Sequence, residues 1–152
     1  MKIIDSSALI YCYDNGISLE GAHYVIGDLD EEFELVELIH SKIRTNIEPA
    51  SSLPSYSEAY YLHQYSIMLN RYGGYSFTGM RGFGDVAILA LVKSHLDNFS
   101  KPYQTSLPLF GSQSEEVIVV TDDEGLSKRI KKEFGDKVTL VSSKQLSQED
   151  TR

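Results

Sequence analysis

Residues 117–120 read Val-Ile-Val-Val, and Thr121-Asp122-Asp123 close the run at once. A β-branched run with no polar alternation has no solvent face, so it belongs in a parallel sheet covered on both sides. Parallel strands need crossover helices, and the rest of the chain supplies them. Lys2–Ile4 is a short β-like start ending at Asp5, and the SSALIYCY that follows offers capping serines and then an apolar stripe. Tyr24-Val25-Ile26 is a second short strand, broken by Gly27-Asp28. Residues 29–44 carry Leu29, Phe33, Val36, Ile39 and Ile43 on one helical face. Leu126, Ile130 and Phe134 recur at fourfold spacing before a last strand, Val138–Val141. Alternating strands and helices predict an α/β fold, a three-layer α/β/α sandwich with a central parallel sheet.

The middle of the chain departs from this rhythm. Residues 48–56, with two prolines and three serines, read as a loop, and a Tyr-rich helix is expected from about Ser57 to Tyr72. Gly73, Gly74, Gly79, Gly82 and Gly84 mark a glycine loop, followed by a strongly apolar helix over Asp85–Asp97. Residues 98–114 form a polar insertion. The expected organisation is one domain over 1–146 and a polar tail over 147–152. At 152 residues such a domain can bury a continuous core without staples.

Bulk properties remove several function classes. No apolar run reaches bilayer-spanning length, and Asp5 interrupts the N-terminus too early for a signal peptide, so a cytoplasmic protein with no membrane partner is expected. The single cysteine, Cys12, excludes an internal disulfide and reads as a small buried hydrophobe. His23, His40, His63 and His95 lack zinc-site spacing. The net charge of -8 repels phosphate backbones at long range, which argues against a general nucleic-acid binder and leaves room for a nuclease whose carboxylates hold metal.

Four carboxylates stand at strand ends or on apolar helix faces: Asp5, Glu32, Asp85 and Asp123. Functional residues of parallel sheets gather at the carboxyl ends of the strands, where Asp5 and Asp123 both fall. Each has a plain alternative. Asp5 could be a helix N-cap, although Ser6 or Ser7 could fill that role. Glu32 lies within the stripe of Leu29 and Val36, yet a first-turn Glu also suits the helix dipole. Asp85 could simply cap the VAILALV helix, and Asp122 and Asp123 could serve as turn and N-cap. Taken together, the four make a shared site for hard divalent cations, Mg²⁺ or Mn²⁺, which prefer carboxylate oxygens. Such ions activate water and neutralise charge on a phosphodiester.

The residues also carry a family resemblance. MKIIDSSALIYCYD resembles the opening of a PIN domain, LDEEF at 29–33 is similar to that family's Glu-bearing segment, GDVAILALV at 84–92 matches its third acidic position, and VIVVTDDEGL resembles its closing strand and T-x-D motif. The likeness covers essentially the whole chain in order, and its first and last motifs are the specific ones. It implies a Mg²⁺- or Mn²⁺-dependent endoribonuclease acting on single-stranded RNA. Asp5, Glu32, Asp85 and Asp123 are then the catalytic metal ligands, with Ser6, Thr121 and Asp122 around them. Many small members are toxins of toxin–antitoxin pairs, so an antitoxin protein and a homodimer are the implied partners. A catalytically degenerate scaffold with the same fold is the alternative.

Other features read more plainly. Tyr56, Tyr60, Tyr61, Tyr65, Tyr72 and Tyr75 could stack on bases, but packing of a helix pair or a dimer interface is the favoured reading. Lys128, Arg129, Lys131 and Lys132 read as a solvated helix face. The glycine loop lacks the Lys-Ser/Thr ending of a phosphate loop. A dehalogenase-like phosphatase would need a second Asp where Ser7 stands, and a receiver domain would need its acid pair after the first strand.

Overall fold

The computed structural model describes residues 1–19, 21, 23–25, 47–72, 82–99 and 116–149. They form two compact units, the first comprising Met1–Ser52 with Glu116–Arg152 and the second Leu53–Glu115.

Among the described residues the first unit is built on a five-stranded, all-parallel sheet. Its strands are β1 (Lys2–Ile4), β2 (His23–Val25), β3 (Ile47–Pro49), β4 (Val117–Val120) and β5 (Val138–Val141), in the order β3-β2-β1-β4-β5. Helix α1 (Ser6–Asp14) follows β1, α4 (Glu124–Phe134) links β4 to β5, and α5 (Ser143–Glu149) follows β5. From β1 the chain steps outward to β2, whereas from β4 it steps the opposite way to β5. Right-handed crossovers therefore put α1 and α4 on opposite faces.

Burial agrees with that topology. Ile4, Val25 and Val120 share one apolar cluster with Ala8, Leu9 and Cys12 of α1, and Leu146 of α5 packs against it. The alternate strand residues Ile3, Val119 and Val138 are buried, as are Leu126, Ile130 and Phe134 on the apolar stripe of α4. The expected layers are present in this unit: α1 with α5, the sheet, and α4. Cys12 is a buried free thiol, and burial, with Asp122 nearby, pushes it up to about 11.

In the second unit α2 (Glu58–Tyr72) packs against α3 (Gly82–Phe99). Tyr61 is buried between Tyr56 and Tyr65, with ring centroids 5.8 and 6.0 Å away. The Tyr60 hydroxyl donates to Asp97, and Ser55 Oγ lies 2.7 Å from His95 Nδ1. These tyrosines do the packing work expected of them.

The second strand begins at His23 and the VAILALV helix runs on to Phe99, and three larger differences from the sequence reading stand beside these. Residues 47–49, read largely as loop, form β3; Pro49 is tolerated because an edge strand does not need every N–H in a ladder. Helix α3 begins at Gly82, so two glycines assigned to the loop are helical and Asp85 lies in the first turn. The tail expected from 147 is entered by α5, whose Ser142-Ser143-Lys144-Gln145 start forms a capping box: Gln145 Oε1 accepts from Ser142 N–H at 2.7 Å, and Ser142 Oγ from Gln145 N–H at 3.3 Å. The helix expected over 29–44, with Glu32 in it, lies outside the described residues, as does most of the insertion at 98–114.

Candidate active site

The sheet changes winding direction between β1 and β4, which makes the crevice beyond their carboxyl ends its topological switch point. Asp5 leaves β1 there and Thr121-Asp122-Asp123 leave β4. Main-chain bonds fix the register: Asp5 N–H donates to Val120 O at 2.9 Å, and Thr121 N–H to Val141 O at 3.0 Å.

Asp5 occupies the N-cap position of α1 in extended conformation, yet its side chain makes no capping bond. Its Oδ2 instead accepts two hydroxyls, from Thr121 Oγ1 at 3.0 Å and Ser7 Oγ at 2.9 Å. Burial raises its pKa, the Ser7 and Thr121 hydroxyls pull it down, and the charge of Asp123 adds a smaller upward push. The carboxylate is thus withheld from capping, partly desolvated and close to a second acid. Such a group gains from a proton or a cation.

Thr121 is the hub. Only 4% exposed, its hydroxyl donates to Asp5 and accepts from Asp123 N–H at 3.1 Å. A hydroxyl has one proton to give and lone pairs to receive, so one side chain holds both acids in register. Asp123 is the N-cap that Asp5 is not: its Oδ1 accepts from Leu126 N–H at 3.0 Å. A Cβ on Gly125 would stand 3.1 Å from that oxygen, so glycine leaves the cap its room.

Asp122 turns away from this pair. Its Oδ1 accepts from Ser143 N–H at 2.9 Å and its Oδ2 from the Ser143 hydroxyl. Both oxygens are committed to the start of α5.

Of the residues singled out by sequence, the structure brings Asp5, Thr121 and Asp123 together. Asp85 is half-buried in the first turn of α3, in the second unit. Glu32 is outside the described residues. Ser6 serves Asp5 through its backbone, and Ser7, which the sequence offered only as an alternative cap, bonds it through its hydroxyl. The D-x-S spacing at 5–7 was the available signal.

Among the described residues no three of His, Cys, Asp and Glu gather closely enough to hold a metal. The pair Asp5 and Asp123 nonetheless has the donor chemistry of a Mg²⁺ or Mn²⁺ site, since such ions keep several waters and need only one or two carboxylates. Two helix N-termini, those of α1 and α4, open at the same sheet edge and bring positive dipole ends to it. Among the described residues no helix is long and apolar enough to cross a membrane. Compared with protein-family models, with curated proteins and with solved structures, the chain finds no match.

Proposed function

We propose that the protein is a PIN-like, Mg²⁺- or Mn²⁺-dependent endoribonuclease that hydrolyses phosphodiester bonds of single-stranded RNA. One observation carries the reading: at the switch point of a parallel sheet, a carboxylate freed from capping is held by Thr121, whose hydroxyl also accepts from the main-chain N–H of a second acid, Asp123. A fold needing only a helix cap would let Asp5 cap α1.

Asp5 and Asp123 would hold the metal, which when bound supplies a lowered water pKa and counter-charge for the phosphoryl oxygens. The chain's own part is positioning. Thr121 and Ser7 fix the Asp5 carboxylate, and burial makes cation binding the favourable outlet for its charge. The N-termini of α1 and α4 present main-chain N–H groups suited to an anionic substrate. The family resemblance would further give Glu32 and Asp85 metal-binding roles and Ser6 and Asp122 supporting ones. The same reading extends to a cytoplasmic toxin of a toxin–antitoxin pair, with an antitoxin protein and a second copy of the chain as partners.

The test is cleavage of unstructured RNA by purified protein with Mg²⁺, Mn²⁺ or EDTA. Cleavage is expected with either metal, abolished by EDTA, and lost in Asp5→Asn. Glu32→Gln and Asp85→Asn assay the other two acids individually. A wild-type protein that cuts no RNA with either metal, or an Asp5→Asn variant as fast as wild type, would sink the proposal, and a scaffold role would replace it.

A further inference from the structure

We infer that Asp122 is a positioning residue that fastens the Thr121–Asp123 turn to the start of the C-terminal helix, so that α5 is part of the apparatus holding Asp5 and Asp123 in register. By sequence Asp122 stands directly beside the fourth acid, Asp123. Its geometry sets it apart. Both oxygens are engaged by one residue, Ser143, through its main-chain N–H and its hydroxyl.

Ser143 is 1% exposed and is the first residue of α5, one of whose orphan amides is thereby satisfied from another loop. Ser142 and Gln145 already cap that helix by themselves. The Asp122 contact is therefore additional to the local cap, and its distinct effect is to tie the end of β4 to the end of β5. The main-chain bond from Thr121 to Val141 runs between the same two strand ends. With Asp122 bonded at one flank, Thr121 is held to Asp5 and Asp123 at the other. Leu146 anchors α5 on the α1 cluster, so the tie reaches from the turn to a packed helix and not to a loose end.

The inference needs the nuclease reading only for its effect on cleavage, and the first measurement is independent of it. Amide hydrogen exchange by NMR on the full chain, without metal, reads the Thr121, Asp123 and Ser143 amides against Val119 and Leu126 as internal references. In Asp122→Ala, protection at Thr121, Asp123 and Ser143 should fall about tenfold or more relative to the references. In Asp122→Asn it should stay near wild type, because an Asn oxygen still accepts from Ser143 N–H and the Ser143 hydroxyl can rotate to accept from the Asn amide. Ser143→Ala keeps the main-chain bond and should fall between, which keeps the test alive should Asp122→Ala not fold. Unchanged protection at Thr121 and Asp123 in Asp122→Ala overturns the inference.

The second measurement is RNA cleavage. A positioning role predicts that Asp122→Ala lowers kcat more than it raises KM, while Asp122→Asn retains most activity. A ligand role predicts equal loss in both, and that result also overturns the inference. A protein that cleaves nothing defeats the nuclease proposal but leaves the exchange result to decide this one.

Discussion

Replacing Thr121 by Val keeps the buried volume and removes the hydroxyl that joins the two acids. The Asp5 carboxylate loses one donor, and hydrogen bonds to charged groups contribute about 1.5–3 kcal/mol. The Asp123 N–H loses its acceptor, but Asp123 is exposed, so water offsets much of that loss and about 0.5–1 kcal/mol remains. The expected destabilisation at pH 7 is roughly 2–4 kcal/mol. Thr121→Ser keeps both bonds and loses one methyl, for about 1 kcal/mol. The penalty must also depend on pH. Asp5 already sits above its ordinary value through burial, and the Thr121 hydroxyl is one of the groups pulling it back down. Removing that hydroxyl raises it further. A raised carboxylate adds stability below its unfolded pKa and loses it as pH rises through the folded one. The gap between Thr121→Val and wild type should therefore be smallest at acid pH, widen through the carboxylate range, and level off above it. Urea unfolding followed by far-UV circular dichroism at several pH values, with Thr121→Ser as control, measures both quantities. A Thr121→Val variant within about 0.5 kcal/mol of wild type at pH 7, the range of ordinary surface changes, would refute the hub. So would a penalty that is flat across the acid range.

Asp5→Asn should raise Tm in metal-free buffer at neutral pH, because partial burial disfavours the charged form of the Asp5 carboxylate; each kcal/mol gained corresponds to roughly 2–4 °C in a chain of this size. The same variant should lose the stabilisation that millimolar Mg²⁺ or Mn²⁺ gives wild type, about 2.7 kcal/mol at a hundredfold excess over Kd, and a matched NaCl series separates this from ionic strength. Equal shifts in salt and metal would deny a specific site. Gly125→Ala should fail to give the usual gain of about 0.5–1 kcal/mol for removing a helical glycine, because the new Cβ meets Asp123 Oδ1 at 3.1 Å. A full gain in urea midpoint would show that the cap oxygen is not fixed there.

The parts legible in the sequence were those that repeat a physical pattern. Val117–Val120 announced a doubly covered strand, and the turn after it delivered Asp123 to the sheet edge as a cap, as its position suggested. Strand β3 escaped because three residues ending in Pro49 carry no alternation, and its identity comes from pairing with β2. Helix α5 escaped although Ser142 and Gln145 stand at capping-box spacing, since a short polar helix looks like a tail until Leu146 is seen to be packed. That Asp5 would decline its cap was only partly legible locally. Ser7 stands two residues on, but Thr121, the other hydroxyl on Oδ2, is a neighbour only through the pairing of β1 with β4.

That pairing also governs when the site can exist. Asp5 and Thr121 are 116 residues apart in sequence, and the first unit is assembled from two stretches of chain that flank Leu53–Glu115. Contacts of such long range are slow to form, because closing the loop costs entropy before any contact repays it. A chain emerging from the ribosome therefore carries Asp5 without Thr121 or Asp123 to hold it until Leu53–Glu115 has been made. A copy cut short before Thr121 lacks the acidic pair, so whatever activity the pair supports begins only once the second stretch of the first unit has been made.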